Sequence, residues 1–491
     1  GAGIYSGAAL TLTNASVISN TLLGGGATVD GAGVFVNGAL TALYGSISEN
    51  VILGTNAGNE GGGAYVLGYA SIDFTDFGRN RVISGTGGGL YLAQGGVITS
   101  SFLSRNSARA GAGLYAAGPL RLTGAALAYN TAREQGGGAY ASSTVVLSQT
   151  EFYSNSAVVG GGLYAAGMVV GDGASFTLNR ASDAGGFGGG LMAGQNAALN
   201  SSWIDQNGAY QGGGVYVAGT LWLTHATVLS NTAVAFGGGV MSQMAATLDA
   251  SLFAANTSGS GGGAVAGGRA LTVTASQFYV NRSGRGGALM GATEWASGTL
   301  YALNSAFGDN IATVAGASVY VSATRPATIL HASIAGSVAI TREAIVFARG
   351  GGRVDASIIA SHTVAISSAG ALVDAGANLY WRNGALVQGN VTDPIFSGGI
   401  AGDPRFINPA QRNYRLGCGS AGFDGAYLTI PIPTDFEGDA RPIGRGTDYG
   451  FDEAPACLPA LSVSDGVALE GDTGLRSMVF TLTLSYSSGM T

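Results

Sequence analysis

The side chains able to do chemistry are few in this chain of 491 residues, and their spacing decides what they could do. Cleaving a polysaccharide needs two or more carboxylates on one face, within reach of the same sugar. Asp30 and Glu60 meet that requirement best, since each stands just before a glycine cluster and Arg81 and Arg109 lie in nearby loops. Other acids recur at equal phase but not in adjoining repeats: Asp73, Asp172 and Asp249 share one phase, Asp76 and Glu151 another. An isolated pair reads more simply as two solvated loop ends. His225, His331 and His362 are scattered, and no two have the spacing of metal ligands. The expectation is of a chain that is not an enzyme and has no catalytic residues.

What would position these residues is a ruler. A glycine triplet, Gly-Gly-Gly or Gly-Ala-Gly, begins at Gly1, Gly31, Gly61, Gly87, Gly111, Gly136, Gly160, Gly188, Gly212 and Gly237. In each case an asparagine follows 19 residues later: Asn20, Asn50, Asn80, Asn106, Asn130, Asn155, Asn179, Asn207, Asn231 and Asn256. The stretch from asparagine to the next triplet varies, so one part of the repeat is locked and one edge is free to lengthen. A period of 24 to 30 residues marks a solenoid or a related array. Within "GAGLYAAGPLRLTGAALAYN" three short runs alternate with period two, holding Leu114 and Ala116, Leu120 and Leu122, then Ala125 and Leu127. Three strands per turn describe an all-β fold, a parallel β-helix, with right-handed winding expected from the general rule for crossovers. Less regular coils continue after Asn310, giving about fifteen over residues 1–400 and a rod of roughly 70 Å at the interstrand spacing.

Equal phases then become stacks. An apolar residue lies three before each asparagine, as in Val17, Phe77, Leu127, Phe152 and Phe253, and a small one two positions earlier, as in Ala15, Gly45, Thr75 and Ser101. The asparagine falls at a corner, where its amide can bond backbone and stacked neighbours and where left-handed conformations are tolerated. The glycines suit a turn too tight for a Cβ. An aromatic column follows the triplets at Tyr5, Phe35, Tyr65, Tyr91, Tyr115, Tyr140 and Tyr164, resuming at Tyr216 and Tyr320. Its apolar flanks turn it outward. Self-stacking that stiffens the sheet is one role; a platform for sugar rings or a neighbouring rod is the other.

The motifs "FYSN", "FTLN", "FAAN", "FYVN" and "FGDN", with "GGAY", "GGAV" and "GGAL", resemble the Phe-x-x-Asn and Gly-Gly-Ala-(Ile/Leu/Val) repeats of chlamydial polymorphic outer membrane proteins. The likeness covers residues 1 to about 320. It implies a right-handed parallel β-helix and, for function, an adhesive surface passenger; no membrane barrel accompanies it here.

Composition agrees with a secreted or cell-surface product: 86 glycines, 10% charged residues, and 21 basic residues that are all arginine. Without a basic stripe, nucleic acid is not an expected partner. No transmembrane helix or signal peptide is read from the chain. "GAGIY" opens as though inside a coil, so the chain is read as a processed or excerpted piece.

From residue 401 the text changes. "GDPRFINPAQRNYRLGCGSAGFDG" and "DFEGDARPIGRGTDYGFDE" resemble the closing module that follows many bacterial extracellular β-helices, here residues 401–457. That resemblance implies one disulfide, Cys418 to Cys457, tying the module to the rod's end; two buried thiols are the alternative that spacing leaves open. Asp435, Glu437, Asp439, Asp448, Asp452 and Glu453 could gather calcium or cap turns. Residues 458–491 resemble the first strands of a Calx-β domain, in which Glu470, Gly471 and Asp472 match the Glu-Gly motif and imply calcium at Glu470 and Asp472. No other cofactor is expected. Incomplete β modules expose strand edges, so self-association into a head-to-tail filament is expected beside cell-surface or glycan ligands. Two function classes follow: a structural or adhesive rod, which is preferred, and a carbohydrate-active or glycan-binding module.

Overall fold

The computed structural model describes residues 2–24, 26–182, 184–291, 298–336, 342–392, 398–426, 432–454, 461–466 and 477–484. Short parallel strands wind into a β-solenoid of about 13 turns. In the turn opened by Gly111 they are Leu114–Ala116, Leu120–Thr123 and Ala126–Ala128, forming a first, second and third face. Each pairs in parallel with its counterparts one turn away: Leu114 with Leu90 and Ala139, Leu120 with Gly96 and Val145, Leu127 with Leu103 and Phe152. Register holds although repeat length varies, because the extra residues lie outside the three paired runs. The expected fifteen coils also took in the looser windings of the C-terminal part, where the ladders run on to Ile400–Ala401.

Alternation is what buries the core. Leu114, Leu122 and Leu127 are fully enclosed, as are Phe152 and Phe176, whose rings stack 4.9 Å apart. Phe253, Phe278 and Phe307 repeat that stack.

Three left-handed corners close each turn. In the Gly111 turn they are Gly111 at φ 57°, Gly124 at φ 58° and Tyr129 at φ 57°. A Cβ on Gly111 would meet the Leu114 carbonyl at 2.6 Å, so the opening glycine is sterically required. The third corner corrects an expectation: the residue before the asparagine is left-handed, not the asparagine itself. That residue includes Leu178 at φ 57° and even β-branched Val280 at φ 50°. Such strain persists only when its surroundings fix it.

The asparagine ladder fixes it. Asn155 donates its backbone N–H and its Nδ2 to Asn179 Oδ1, both at 3.0 Å, and Nδ2 also reaches the Leu127 carbonyl at 2.8 Å. Its own Oδ1 accepts the N–H and the Nδ2 of Asn130, both at 3.0 Å. The same pattern runs from Asn20 through Asn50, Asn80, Asn106, Asn130, Asn155, Asn179, Asn207, Asn231 and Asn256 to Asn281 and Asn310. The small column is more than filler: at the second corner the Ser251 N–H donates to Ser276 Oγ and the Ser276 N–H to Ser305 Oγ, a parallel hydroxyl ladder.

Two further features depart from the sequence reading. The variable edge is pinned at its start by a fourth ladder of two- to five-residue strands, Thr21–Leu22, Val51–Ile52, Arg81–Val82, Ser107–Ala110 and Thr131–Gln135. At its end, bridges join Asp30 to Glu60, Glu60 to Thr86 and Thr86 to Ala110; the long edges are also tied between levels by buried Asn59, and in the short ones Ser107–Ala110 and Thr131–Gln135 fill the whole span from asparagine to glycine. The second departure is the C-terminal module, which lies along the rod's flank and not only at its end. Tyr414 packs on Tyr279 with ring centres 6.2 Å apart, Asn304 Nδ2 donates to the Thr434 carbonyl at 2.7 Å, and the Gly450 N–H donates to the Ala356 carbonyl at 2.8 Å. Beyond it, Leu461–Val463 pairs antiparallel with Leu482–Leu484.

Replacing Asn155 by Ala leaves the Asn130 N–H without its acceptor in the interior, while the Leu127 carbonyl stays in its strand ladder, and should cost about 1 to 3 kcal/mol, the penalty for one buried unpaired group. Chemical denaturation of the variant checks this; a loss below about 0.5 kcal/mol would mean the ladder carries no stability.

Candidate functional site

The aromatic column and the Asp30–Glu60 pair, read separately from the sequence, adjoin on one flank. Ring centres of Tyr5, Phe35, Tyr65, Tyr91, Tyr115, Tyr140 and Tyr164 are spaced by 4.6 to 5.3 Å, with planes within 20° of parallel. Met192 ends the run, and Tyr216 resumes it with a tilted contact to Phe187. The rings turn away from the core, as alternation predicts. Yet the rings from Phe35 to Tyr140 are each covered on both faces by their neighbours. Stacking on a sugar needs a free ring face, so the geometry favours stiffening of the sheet over a glycan platform.

Glu60 sits one turn from Asp30, and its backbone N–H donates to Asp30 Oδ1 at 3.0 Å. Half-burial, then the charge of Asp30, push the Glu60 carboxyl up to about 7 against a hydrogen bond from Tyr91 that lowers it. Burial also raises Asp30. The same acids, after burial, push the Tyr65 hydroxyl up to about 12. The expected solvated pair is therefore half-buried and tied to the tyrosine column. Arg109 pairs with Glu134 at 2.9 Å, and neither Arg81 nor Arg109 forms an ion pair with Asp30 or Glu60 among the described residues. Asp30 is engaged with backbone and Glu60 with a phenol, which is the arrangement of a capped loop end.

The histidines fall into the same columns. His225 at φ 52° and His331 at φ 47° occupy the left-handed second corner. His362 takes the asparagine position: its N–H donates to Asn383 Oδ1 at 3.0 Å, and Nδ1 lies 2.7 Å from the Ala360 carbonyl. Burial pushes His331 down to about 3 and His362 down to about 4, keeping both neutral near pH 7. The sequence held a signal for this, since His362 stands three residues after Ile359 just as each asparagine follows its core residue.

In the C-terminal module five of the six acids fall into two groups, and Asp439 contributes only its backbone N–H. Oxygens of Asp435, Glu437 and Asp452 lie within 4.8 Å of one another, but Arg415 bonds Glu437 and lies 3.6 Å from Asp452, supplying positive charge itself. Asp435 caps the turn by accepting the N–H groups of Glu437, Asp439 and Glu453 at 2.8 to 2.9 Å. Asp448 and Glu453 instead surround Arg441, whose guanidinium meets Glu453 at 2.9 Å with both side chains fully buried. Burial pushes Asp448 up to about 7 and Asp452 up to about 6. Cys418 is disulfide-bonded; its expected partner Cys457 lies outside the described residues. Glu470, Gly471 and Asp472 also lie outside them. Among the described residues no helix is long and apolar enough to cross a membrane.

A cleft the sequence did not reveal opens where this module meets the rod, with a volume of about 340 Å³. Third-face residues Gln277 and Tyr279 form one wall, and Gln411, Arg412, Asn413 and Tyr414 form the other. No protein-family model matches the chain, and no curated protein sequence matches it.

The raised Glu60 predicts a pH dependence. A carboxyl whose folded value lies above its unfolded value near 4.5 stabilises the fold fully below 4.5, and that contribution is lost as pH rises through about 7. Glu60→Gln should therefore melt higher than the native chain at pH 8 and equal to it at pH 4. Equal melting at both pH values would show that Glu60 is freely solvated.

Proposed function

We propose that this chain is an extracellular, non-enzymatic structural or adhesive rod, of the kind that its repeats resemble in chlamydial polymorphic outer membrane proteins. The observation that carries the reading is where the polar residues go. The three histidines and the regularly spaced asparagines serve the corners, and Asp30 and Glu60 are engaged with backbone and phenol. An active site concentrates perturbed groups around a cavity able to admit substrate, and the corner and loop-end groups of the regular solenoid are instead distributed one level at a time along the rod.

The disulfide at Cys418 supports an oxidising compartment. The solenoid's flat flanks, built from parallel ladders, support a role in which length and surface matter more than a pocket. The test is to incubate the native chain with a panel of neutral and acidic polysaccharides while surface-labelling the cells that produce it. The reading expects no new chain ends from the polysaccharides and label on the outside of intact cells. Turnover that disappears in the Asp30→Asn, Glu60→Gln double variant would overturn it in favour of a carbohydrate-active enzyme.

A further inference from the structure

The cleft between rod and C-terminal module brings together polar groups that make no side-chain hydrogen bond to protein among the described residues, the exposed Gln411 and Arg412 on one side and the largely buried Tyr279 on the other. Tyr279, on the third-face strand Gln277–Tyr279, is only 7% exposed, yet its hydroxyl has no hydrogen-bond partner among the described residues. The opposite tyrosine differs: Tyr414 Oη donates to Asp309 Oδ2 at 3.3 Å. Arg412 stands at the end of the 3₁₀ turn Pro409–Gln411, in the left-handed conformation at φ 61° and ψ 23°, with its N–H bonded back to the Pro409 carbonyl. Its guanidinium has no carboxylate partner among the described residues, whereas Arg415 close by is held by Glu437 and Asp452. The Gln277 and Gln411 side chains also line the cleft without partners of their own among the described residues.

From this set we infer that the cleft is a binding site for a saccharide bearing a carboxylate, a uronic acid unit. A planar guanidinium matches a carboxylate through two parallel hydrogen bonds, which a neutral sugar cannot offer. Carboxamides both donate and accept, as sugar hydroxyls do, and the Tyr279 hydroxyl adds one more group of that kind. The volume is that of a small-ligand pocket, and its position where two structural units meet is a common one for such sites. Tyr279 and Gln277 belong to the rod and Arg412 to the module, so the site exists only when the two are docked.

The inference names a ligand for the adhesive role and so rests on that reading. Isothermal titration calorimetry of the full chain would use a digalacturonate, the neutral digalactose of the same linkage, and inorganic phosphate. Digalacturonate should bind at least ten-fold more tightly than digalactose, and its affinity should fall with added salt. Arg412→Gln should weaken it at least ten-fold. Tyr279→Phe keeps the ring packing and removes only an unpartnered hydroxyl; it should weaken binding several-fold with unchanged melting. No heat from digalacturonate, equal binding of both sugars, tighter binding of phosphate, or indifference to both variants would overturn the site and leave the rod reading standing. Cleavage of bound digalacturonate that depends on Arg412 would support the site while contradicting the non-enzymatic reading.

Discussion

A parallel solenoid must turn a corner several times per winding, and every corner removes backbone groups from the ladders that satisfy them. Burying an unpaired N–H or C=O costs about 1 to 3 kcal/mol, repeated at each level of the rod. Asparagine solves this with one side chain, because its carbonyl accepts from the level before while its amide donates to the level after and to the backbone. Asn155 illustrates the closure, exchanging hydrogen bonds with Asn130, Asn179 and Leu127. The rest depends on it. The left-handed residue before each asparagine, the stacked phenylalanines three positions earlier and the invariant distance to the opening glycine follow from holding that corner in one geometry. The third glycine of the triplet completes it: a Cβ on Gly113 would meet the Gly138 carbonyl at 2.4 Å and Asn130 Nδ2 at 3.0 Å.

The locked part of the repeat was legible in the sequence because its stacks are made of residue types with single purposes. Glycine where no Cβ fits, asparagine where donor and acceptor are both needed, and alternating apolar residues in the strands left periodic marks. The fourth ladder left none, since pairs such as Thr21–Leu22 and Arg81–Val82 are too short to alternate and too varied to align. The left-handed residue before the asparagine was hidden for the opposite reason: stacking fixes its backbone, so Ser19, Tyr129, Leu178 and Val280 all serve. Docking of the C-terminal module along the flank could not be read from residues more than 100 positions apart, such as Asn304 and Thr434. The tyrosine column and the Asp30–Glu60 pair were each visible, but their adjacency was not, because it depends on where the loop ends return. The rod–module cleft gave no sequence signal for the same reason as the docking.

These constraints bear on function. A solenoid whose asparagines are taken up in its corners supports the proposed reading as a rod that displays repeated surface. Ring faces in the tyrosine column are covered by other rings, which stiffens the first face and removes it as a sugar platform. The proposed binding site accordingly lies where regularity ends, at the seam with the module. Arg441 and Glu453, buried together there, hold the module's own fold, and removing either would leave an uncompensated charge.

The central claim is that the asparagine ladder is the continuous support of the rod, and hydrogen exchange on the native protein tests it directly. The backbone N–H groups of Asn80, Asn106, Asn130 and Asn155 each donate to the next asparagine's Oδ1 at 2.8 to 3.0 Å. They should exchange only with global opening, as slowly as the most protected strand amides in the interior. Exchange of these four amides at the rate of loop positions such as Thr28, while the strand amides stay protected, would show that the corners open locally and would contradict the account.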